Sequence, residues 1–229
     1  MTEVCLLSVL DIGVDGKSEY VLRDLDYTFG EGERERIERM SNGSARELSL
    51  CGLCALKCLT DALVGAGERI LIARDEFGKP YFPECENLRF NISHSAQLAT
   101  AALSFDGSNS VGIDIEKIAD GRDIKKITQR FFGERERAFL EAEEYSAKAF
   151  FLVWTAKEAY AKFVGRGLSA ALSGADTFEL SESREVQFVR FAVRYAGNDY
   201  IMTLCTSHDE HIKINSNGDI EVYEISDRA

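Results

Sequence analysis

The chain has 229 residues, of which 45% are hydrophobic and 29% charged, with only two prolines. This composition is typical of a packed globular protein and excludes a disordered, collagen-like or mucin-like chain. At about 150 residues per domain, the length suits one large domain or two small halves. The 27 basic and 39 acidic residues give a net charge of −12, which argues against a nucleic-acid binder because such proteins need a net basic face.

The chain also lacks the sequence features of a membrane or exported protein. No stretch reaches the about 18 consecutive apolar residues of a membrane helix. The apolar start Val4–Val14 follows Glu3 rather than the basic residues that open an export signal. Six cysteines without a secretory segment indicate a reducing compartment. We therefore expect a cytoplasmic protein that binds neither a membrane nor a nucleic acid.

The first half of the chain alternates between strand and helix patterns. The apolar run Val4–Leu10 predicts a buried strand, and the periodicity of Arg46–Leu63 predicts a helix. Leu98–Phe105 predicts a further strand. The turn residues Asp106–Asn109 predict a hairpin that leads into a strand at Ser110–Glu116.

Three cysteines of the predicted helix share one face. Cys51, Cys54 and Cys58 have the spacing C-x2-C-x3-C, which is compatible with a zinc or iron–sulfur site. The same offsets of three and seven place all three thiols on one helical face, beside Leu48 and Leu50. A packed apolar face is the favoured interpretation, because no second C-x2-C pair or nearby histidine completes a metal site.

The second half repeats the general scheme. Helical patterns cover Ile124–Phe132 and Glu134–Val164, and strand patterns cover Glu185–Tyr195, Tyr200–Cys205 and Ile220–Tyr223. The best candidate boundary is the predicted turn between the two halves. We therefore predict an N-terminal αβ half at residues 1–106 and a C-terminal αβ half at residues 107–229 that carries the metal site.

Two acids stand together on one predicted strand. Alternation along Val111–Glu116 puts Asp114 and Glu116 on the same face and Ile113 and Ile115 on the other. Like charges so placed repel each other unless a cation sits between them or they reach water. Hard carboxylate oxygens suit Mg²⁺. The alternative is a strand end that simply runs into solvent.

The helical segment Phe150–Val164 is mostly apolar yet carries a narrow polar stripe. At about 100° per residue, Thr155, Glu158 and Lys162 share one side of a helix that is otherwise suited to burial. An exposed i, i+4 pair of Glu158 with Lys162 is the simpler alternative. It explains the pair but not the apolar surroundings, so the stripe indicates a site.

Three short segments offer groups that suit an anionic ligand. The glycine turn Gly165–Gly167 carries Arg166, whose guanidinium matches phosphate oxygens, although a plain helix stop explains the turn equally well. Gly78–Pro80 presents Lys79 in a stiffened turn. Ser93–Ser95 combines two hydroxyls with His94, and a lone histidine of this kind is more often structural than catalytic.

Taken together, these segments resemble the 4′-phosphopantetheinyl transferase superfamily, and the length resembles its larger, surfactin-type branch. The family pattern G-[IV]-D-x-E is similar to Gly112–Glu116, and W-[ST]-x-K-E-[AS]-x-x-K is similar to Trp154–Lys162. G-x-G-L is similar to Gly165–Leu168, G-K-P to Gly78–Pro80, and F-N-[IL]-S-H-S to Phe90–Ser95. The ordered set is highly specific, whereas each single motif is weak.

The resemblance implies an α+β fold of two similar αβ halves, related by a pseudo-twofold axis and separated by a cleft that binds coenzyme A. It also implies a reaction in which 4′-phosphopantetheine moves from coenzyme A to a serine of an apo acyl or peptidyl carrier protein. Adenosine 3′,5′-bisphosphate is the product released.

The resemblance further assigns roles to the candidate site residues. Asp114, Glu116 and Glu158 would hold Mg²⁺ on the pyrophosphate of coenzyme A, and Lys162 would stabilise or protonate the departing phosphate. Lys79, Ser93 and His94 resemble contacts to the nucleotide phosphates, and Arg166 adds a further candidate contact. For the serine proton, our hypothesis is that Glu158, or a water oriented by Glu158 or Glu116, acts as the base.

Two alternatives and a partner question remain open at this level. The same acids would suit a Mg²⁺-dependent hydrolase of a nucleotide pyrophosphate, and the same scaffold would suit a non-catalytic coenzyme A or carrier-protein binding module. Carrier proteins are commonly acidic, so this acidic chain has to concentrate positive charge locally. The candidates are Arg122, Lys125, Lys126 and Arg130. We expect a monomer, because two halves in one chain supply both walls of the cleft.

Overall fold

The computed structural model describes residues 1–10, 18–40, 43–105, 110–166, 175–207 and 211–225. Within these ranges the helices are α1 (Ser18–Phe29), α2 (Glu31–Glu38), α3 (Gly43–Val64), α4 (Ile124–Phe131), α5 (Glu134–Ala142), α6 (Ala147–Val164) and α7 (Thr177–Ser183). The strands are β1 (Thr2–Ser8), β2 (Ala73–Arg74), β3 (Pro80–Tyr81), β4 (Arg89–Ser95), β5 (Leu98–Ser104), β6 (Gly112–Lys117), β7 (Val186–Tyr195), β8 (Asn198–Ser207), β9 (Ile212–Ser216) and β10 (Glu221–Ile225). None of these helices is long and apolar enough to cross a membrane.

The strands build two four-stranded sheets and one small ribbon. The first sheet has the order β4-β5-β1-β9, the second has the order β10-β7-β8-β6, and β2 pairs with β3. Neighbours are antiparallel except β1 and β9, which run parallel. The architecture is therefore mixed α+β, as the sequence predicts.

The two sheets face each other, and a long helix covers the outer side of each. One side of β1 presents Cys5 to the core beneath α3, whereas Val4 and Leu6 on its other side pack against residues of the second sheet. On β8, Thr203 turns outward and contacts Thr155 of α6, whereas Met202 points inward. This alternation follows from the two-residue period of a strand. The layers are therefore helix, sheet, sheet and helix.

Polar side chains of β4 join the edges of the two sheets. Asn91 Oδ1 accepts from the backbone N–H of Ile113 at 2.9 Å. Ser93 Oγ and Ser95 Oγ accept from the N–H groups of Ile115 and Lys117 at 3.4 and 3.0 Å. These N–H groups lie on the edge of β6 that does not pair with β8. The motif F-N-I-S-H-S thus satisfies an open strand edge, and the seam between the halves runs along it.

The structure corrects two of the predictions for elements. Leu98–Phe105 and Ser110–Glu116 do not form a hairpin, because β5 and β6 belong to different sheets; the turn predicted between them lies outside the described residues. Glu134–Val164 is not one helix. Glu144 and Tyr145 adopt positive φ values of 51° and 56°, and Ser146 caps a new helix by accepting from the N–H of Ala149.

The described residues also include elements that the sequence analysis did not predict. Helices α1 and α2 precede α3, and β9 lies between β8 and β10. Strand β9 pairs with β1, so the first sheet receives one strand from beyond the predicted boundary at residues 106 and 107. The division into two halves stays a prediction.

Candidate functional site

The two strand acids point from β6 toward β4 and α6. Asp114 Oδ1 accepts hydrogen bonds from Ser93 Oγ at 2.9 Å and from Lys162 Nζ at 2.7 Å. Glu116 Oε2 accepts from Ser95 Oγ at 3.0 Å, and Arg122 lies 3.5 Å from its other oxygen. The predicted shared face of these acids is confirmed by these contacts. The second oxygen of Asp114 is buried and has no hydrogen-bond partner among the described residues.

The pKa of Glu158 on α6 is affected by both strand acids. Its pKa is raised to about 7, first by partial burial and next by the negative charge of Asp114. Glu116 raises it further, whereas Lys162 and Arg122 oppose the shift. Glu158, which follows both strand acids by more than 40 residues in the sequence, therefore lies within electrostatic range of them in the folded chain.

The donor set fits a divalent ion by its chemistry. Carboxylate oxygens are the ligands that Mg²⁺ takes in proteins. Buried carboxylate oxygens normally have a hydrogen-bond partner, and the second oxygen of Asp114 has none among the described residues. No group of three or more His, Cys, Asp or Glu side chains in the described ranges has the arrangement of a finished metal site. In this conformation the Lys162 ammonium supplies the positive charge at Asp114. Coordination by Asp114, Glu116 and Glu158 stays a prediction.

Lys162 links strands β4 and β6 at the centre of the site. Besides Asp114, its Nζ donates to Ser93 Oγ at 2.9 Å and to the carbonyl of Ile113 at 3.0 Å. The side chain is 25% exposed, so one side remains open to a ligand. Ser93 is thereby brought to the site, as the sequence predicts, through both Asp114 and Lys162.

His94 lies on the opposite side of β4 from Ser93, because successive strand residues alternate. Its pKa is lowered, first by desolvation and then by the positive charge of Lys162; Arg36 on α2 contributes in the same direction. Arg36 itself pairs with Glu33 at 2.8 Å. Helix α2 therefore lies within electrostatic range of His94.

The amine of Lys79 contacts the C-terminal end of α6; its contact with a phosphate stays a prediction. Its Nζ donates to Ser110 Oγ at 2.9 Å and to the carbonyls of Lys162 and Phe163 at 2.7 and 3.1 Å. Burial lowers its pKa to about 8. The amine is therefore engaged with the C-terminal end of α6 rather than held free for a ligand.

Some motif residues of α6 make packing contacts, and others face the acids of β6. Thr155 is fully buried and shares a hydrogen bond of 2.7 Å with Thr203, and Trp154 stacks on Phe150 with ring centroids 5.8 Å apart. Lys157 forms a buried ion pair of 2.8 Å with Glu136 of α5. Of the predicted polar stripe, only Glu158 and Lys162 face the acids of β6.

A groove beside Lys162 lies between the Gly78–Pro80 turn and the end of α6. Its volume is about 220 Å³, and it is lined from the first half by Phe77, Gly78, Lys79, Pro80 and Asn91 and from the second half by Ala161, Lys162 and Gly165. Arg166 follows directly and is exposed. The predicted cleft that binds coenzyme A stays a prediction.

Residues 110–216 match the sequence model of the 4′-phosphopantetheinyl transferase superfamily. A 4′-phosphopantetheinyl transferase of Bacillus subtilis is 34% identical over 146 residues, covering 59% of this chain and 62% of that protein. The chain is therefore similar in sequence to the 4′-phosphopantetheinyl transferase superfamily over residues 110–216. Its α+β architecture is consistent with the fold of that superfamily.

Two further 4′-phosphopantetheinyl transferases are similar at the same level. The protein gsp of Aneurinibacillus migulanus is 35% identical over 152 residues, covering 65% of this chain and 61% of its own length. The protein HetI of a Nostoc species is 32% identical over 158 residues, covering 66% of this chain and 65% of its own length. The alignments with these relatives therefore span less than two thirds of each relative.

Proposed function

We propose that this protein transfers 4′-phosphopantetheine from coenzyme A to a serine hydroxyl of an apo acyl or peptidyl carrier protein and releases adenosine 3′,5′-bisphosphate. The observation that carries the proposal is the contact of 2.7 Å between Lys162 Nζ and Asp114 Oδ1, beside Glu158. This contact brings together the two most specific motifs of the chain, Gly112–Glu116 and Trp154–Lys162. The named relatives, all 4′-phosphopantetheinyl transferases, support the same activity.

Part of coenzyme A would lie in the groove between the Gly78–Pro80 turn and the end of α6. The groove has walls from both halves and contains Lys162, whose positive charge suits a phosphate oxygen. Ser93, His94 and Arg166 are proposed as further contacts. Lys79 borders the same groove. Its backbone can therefore contact coenzyme A while its amine stays bound to the end of α6.

Asp114, Glu116 and Glu158 are the proposed ligands of Mg²⁺ on the coenzyme A pyrophosphate. When bound, the ion neutralises phosphate charge and stabilises the charge that develops during phosphoryl transfer. Lys162 would hold the departing phosphate oxygen and supply a proton there. A pyrophosphate beside three carboxylates requires such neutralisation, because like charges in a partly buried site repel strongly.

The serine hydroxyl has to lose its proton as its oxygen attacks phosphorus. A bond forms between that oxygen and the phosphorus of the pantetheine phosphate, and the bond from the same phosphorus to the nucleotide phosphate breaks. Glu158 is the proposed base, directly or through a water that it or Glu116 orients.

The carrier protein is proposed to dock against the exposed face of α4 and the loop before it. Lys125 and Arg130 are exposed and stack over the rings of Tyr145 and Phe131. Together with Arg122 and Lys126 they concentrate positive charge on a chain of net charge −12, which suits an acidic partner. We propose a monomer as the active unit, since the lining of the groove comes from both halves of one chain.

One mass measurement tests this function. Incubated with coenzyme A, Mg²⁺ and several apo carrier proteins, a transferase adds a phosphopantetheine to the carrier. A pyrophosphate hydrolase cleaves coenzyme A without any carrier, and a binding module leaves both unchanged. Either of the latter two outcomes contradicts the proposal.

Chelation tests the metal assignment separately. We expect EDTA to abolish transfer and added Mg²⁺ to restore it, because without the ion the three acids and the pyrophosphate repel each other. Transfer that continues at full rate in EDTA would remove Asp114, Glu116 and Glu158 from their proposed role. Comparing Glu158→Gln with Glu158→Ala at saturating Mg²⁺ tests the base: unchanged rates in both variants exclude it.

A further inference from the structure

The amine of Lys79 has a complete set of acceptors within the protein. A lysine ammonium has three N–H donors. The acceptors within reach are the side-chain oxygen of Ser110 at 2.9 Å and the carbonyl oxygens of Lys162 and Phe163 at 2.7 and 3.1 Å. Each donor therefore has one partner, and none remains for a phosphate of the substrate.

Two of these acceptors belong to the last turn of α6. The final four carbonyls of a helix have no partner within the helix, and Gly165, in the left-handed conformation, satisfies only Ala161 through its N–H at 2.9 Å. Lys79 satisfies the next two carbonyls. Ser110 Oγ adds a second hydrogen bond of 2.6 Å to Phe163. A cation at this end also suits the negative end of the helix dipole.

The contact joins the two halves of the molecule at the residue that matters for catalysis. Lys79 comes from the Gly78–Pro80 turn of the first half, whereas the carbonyl of Lys162 belongs to the backbone that carries the proposed phosphate-binding amine. Space here is tight, because a side chain at Gly165 would lie 2.8 Å from Lys79 Cδ. The turn, the lysine and the end of α6 thus form one packed unit.

We infer that Lys79 is a positioning residue: its ammonium clamps the last turn of α6 to the first half and so holds the Lys162 side chain in register with Asp114 and Ser93. The inference rests on the proposed transfer reaction. Under this inference, the Lys79 amine positions the end of α6 and does not contact a phosphate of the substrate directly.

The test compares Lys79→Met with Lys213→Met in the full chain. Methionine keeps the length and apolar stem of lysine but has no donors, and Lys213 is an exposed lysine of β9 that serves as the matched control. With coenzyme A as substrate, we expect Lys79→Met to lower kcat by about tenfold to a hundredfold, the cost of a small misplacement of a catalytic group. KM for coenzyme A stays close to that of the unchanged protein, as expected when binding contacts survive.

A second substrate separates positioning from phosphate binding. 3′-Dephospho-coenzyme A lacks the ribose phosphate, so a positioning role predicts the same proportional loss of kcat with both substrates. A raised KM for coenzyme A that is absent with the dephospho form would show a direct phosphate contact and overturn the inference. Unchanged kcat in Lys79→Met would overturn it as well.

Hydrogen exchange provides a readout that does not depend on activity. Amides in the last turn of α6 should exchange faster in Lys79→Met than in the unchanged protein or in Lys213→Met, because two carbonyl partners are lost. Unchanged exchange there contradicts the inference. If the unchanged protein transfers nothing to any carrier while this exchange effect is present, the proposed function fails and the clamp stands.

A milder variant covers the case in which Lys79→Met does not fold. Ser110→Ala removes one acceptor of Lys79 and one donor to Phe163 while leaving the lysine in place. We expect a change in the same direction but smaller, in both kcat and exchange. No change in either quantity would count against the clamp.

Discussion

Cys58 is the exposed thiol on the cysteine face of α3, and its environment differs from that of an ordinary surface cysteine. A hydrogen bond from the buried thiol of Cys5 lowers the pKa of Cys58 to about 7, and the positive charge of Lys57 acts in the same direction. Burial raises the pKa of Cys54 to about 12. Cys54 and Cys58 therefore differ in reactivity, because the thiolate is the reactive form.

We expect iodoacetamide to alkylate Cys58 with a rate that is half-maximal near pH 7, as set by its lowered pKa. Cys5→Ala removes the main cause of the shift and should move the midpoint up toward the ordinary value of 9.0. Mass spectrometry of the labelled peptide measures the profile. Cys58→Ser, which should lose this label, is the control. An identical midpoint in Cys5→Ala would show that the hydrogen bond does not set the reactivity.

The approach of β6 to α6 determines where the acids of the strand meet the helix. An added Cβ at Gly112 would lie 2.0 Å from the carbonyl oxygen of Ala159 and 2.5 Å from the backbone nitrogen of Phe163. Both contacts are with backbone atoms, which cannot rotate away. The first glycine of the motif G-[IV]-D-x-E is therefore required for the packing of the strand against the helix, two residues before Asp114.

Gly112→Ala should destabilise the protein by at least about 1–3 kcal/mol, the usual cost of overpacking a filled interior. Because relief of the clash moves α6 away from β6, we also expect reduced transfer activity. Gly218→Ala is the matched control, since no atom lies within 4 Å of its added Cβ. Urea unfolding of both variants measures the difference, and equal stability of the two would contradict the tight approach.

A buried ion pair connects α5 with α6. The side chains of Lys157 and Glu136 are 1% and 0% exposed and lie 2.8 Å apart. Glu136 also accepts from the backbone and hydroxyl of Thr177 and from the N–H of Gly133, and Lys157 donates to the carbonyl of Ala175. The motif lysine next to Glu158 thus fixes the packing of three helices rather than binding a ligand.

Lys157→Met should cost about 3–5 kcal/mol, because it leaves Glu136 as a buried carboxylate without its cation. Adding Glu136→Gln removes that charge while keeping an acceptor for Thr177, so the double variant should recover part of the loss. Chemical denaturation of both variants and of Glu136→Gln alone completes the cycle. A double variant whose loss equals the sum of the two single losses would show that the two charges are not coupled.

At the scale of the whole molecule, the two predicted halves contribute to one sheet and to one core. The parallel partner of β1 is β9, which comes from the far end of the chain. The core between the sheets combines Val4 and Leu6 of the first half with Ile113 and Met202 of the second. Independent domains each have a core of their own, so the halves are expected to depend on each other for folding.

A fragment of residues 1–105 should therefore lack a cooperative unfolding transition, because one face of its sheet would be exposed and β1 would lose a neighbour. Mixing it with a fragment of residues 110–229 should restore the transition, provided that the complementary faces still associate. Circular dichroism during urea titration distinguishes the cases. A cooperative transition of the first fragment alone, as steep as that of the full chain, would show that the shared core is dispensable.

Local sequence was sufficient to predict the features that depend on periodicity. Asp114 and Glu116 share a face because alternation holds for any extended strand, and Glu158 and Lys162 share a side of α6 because i and i+4 always do in a helix. The ordered motifs likewise indicate a resemblance to the superfamily without coordinates. These properties need only neighbouring residues, so the sequence by itself determined the chemistry that the site presents.

Only the tertiary structure decided which of these groups meet. Residues 106–109 carry the composition of a turn, but a turn cannot specify that β6 pairs with β8 and receives the side chains of β4 on its other edge. The acceptors of Lys79 lie more than 30 residues away along the chain. Strand β1 pairs with β9, which lies near the other end of the sequence. Contacts of this kind are set by the packing of distant surfaces against one another, which no local pattern encodes.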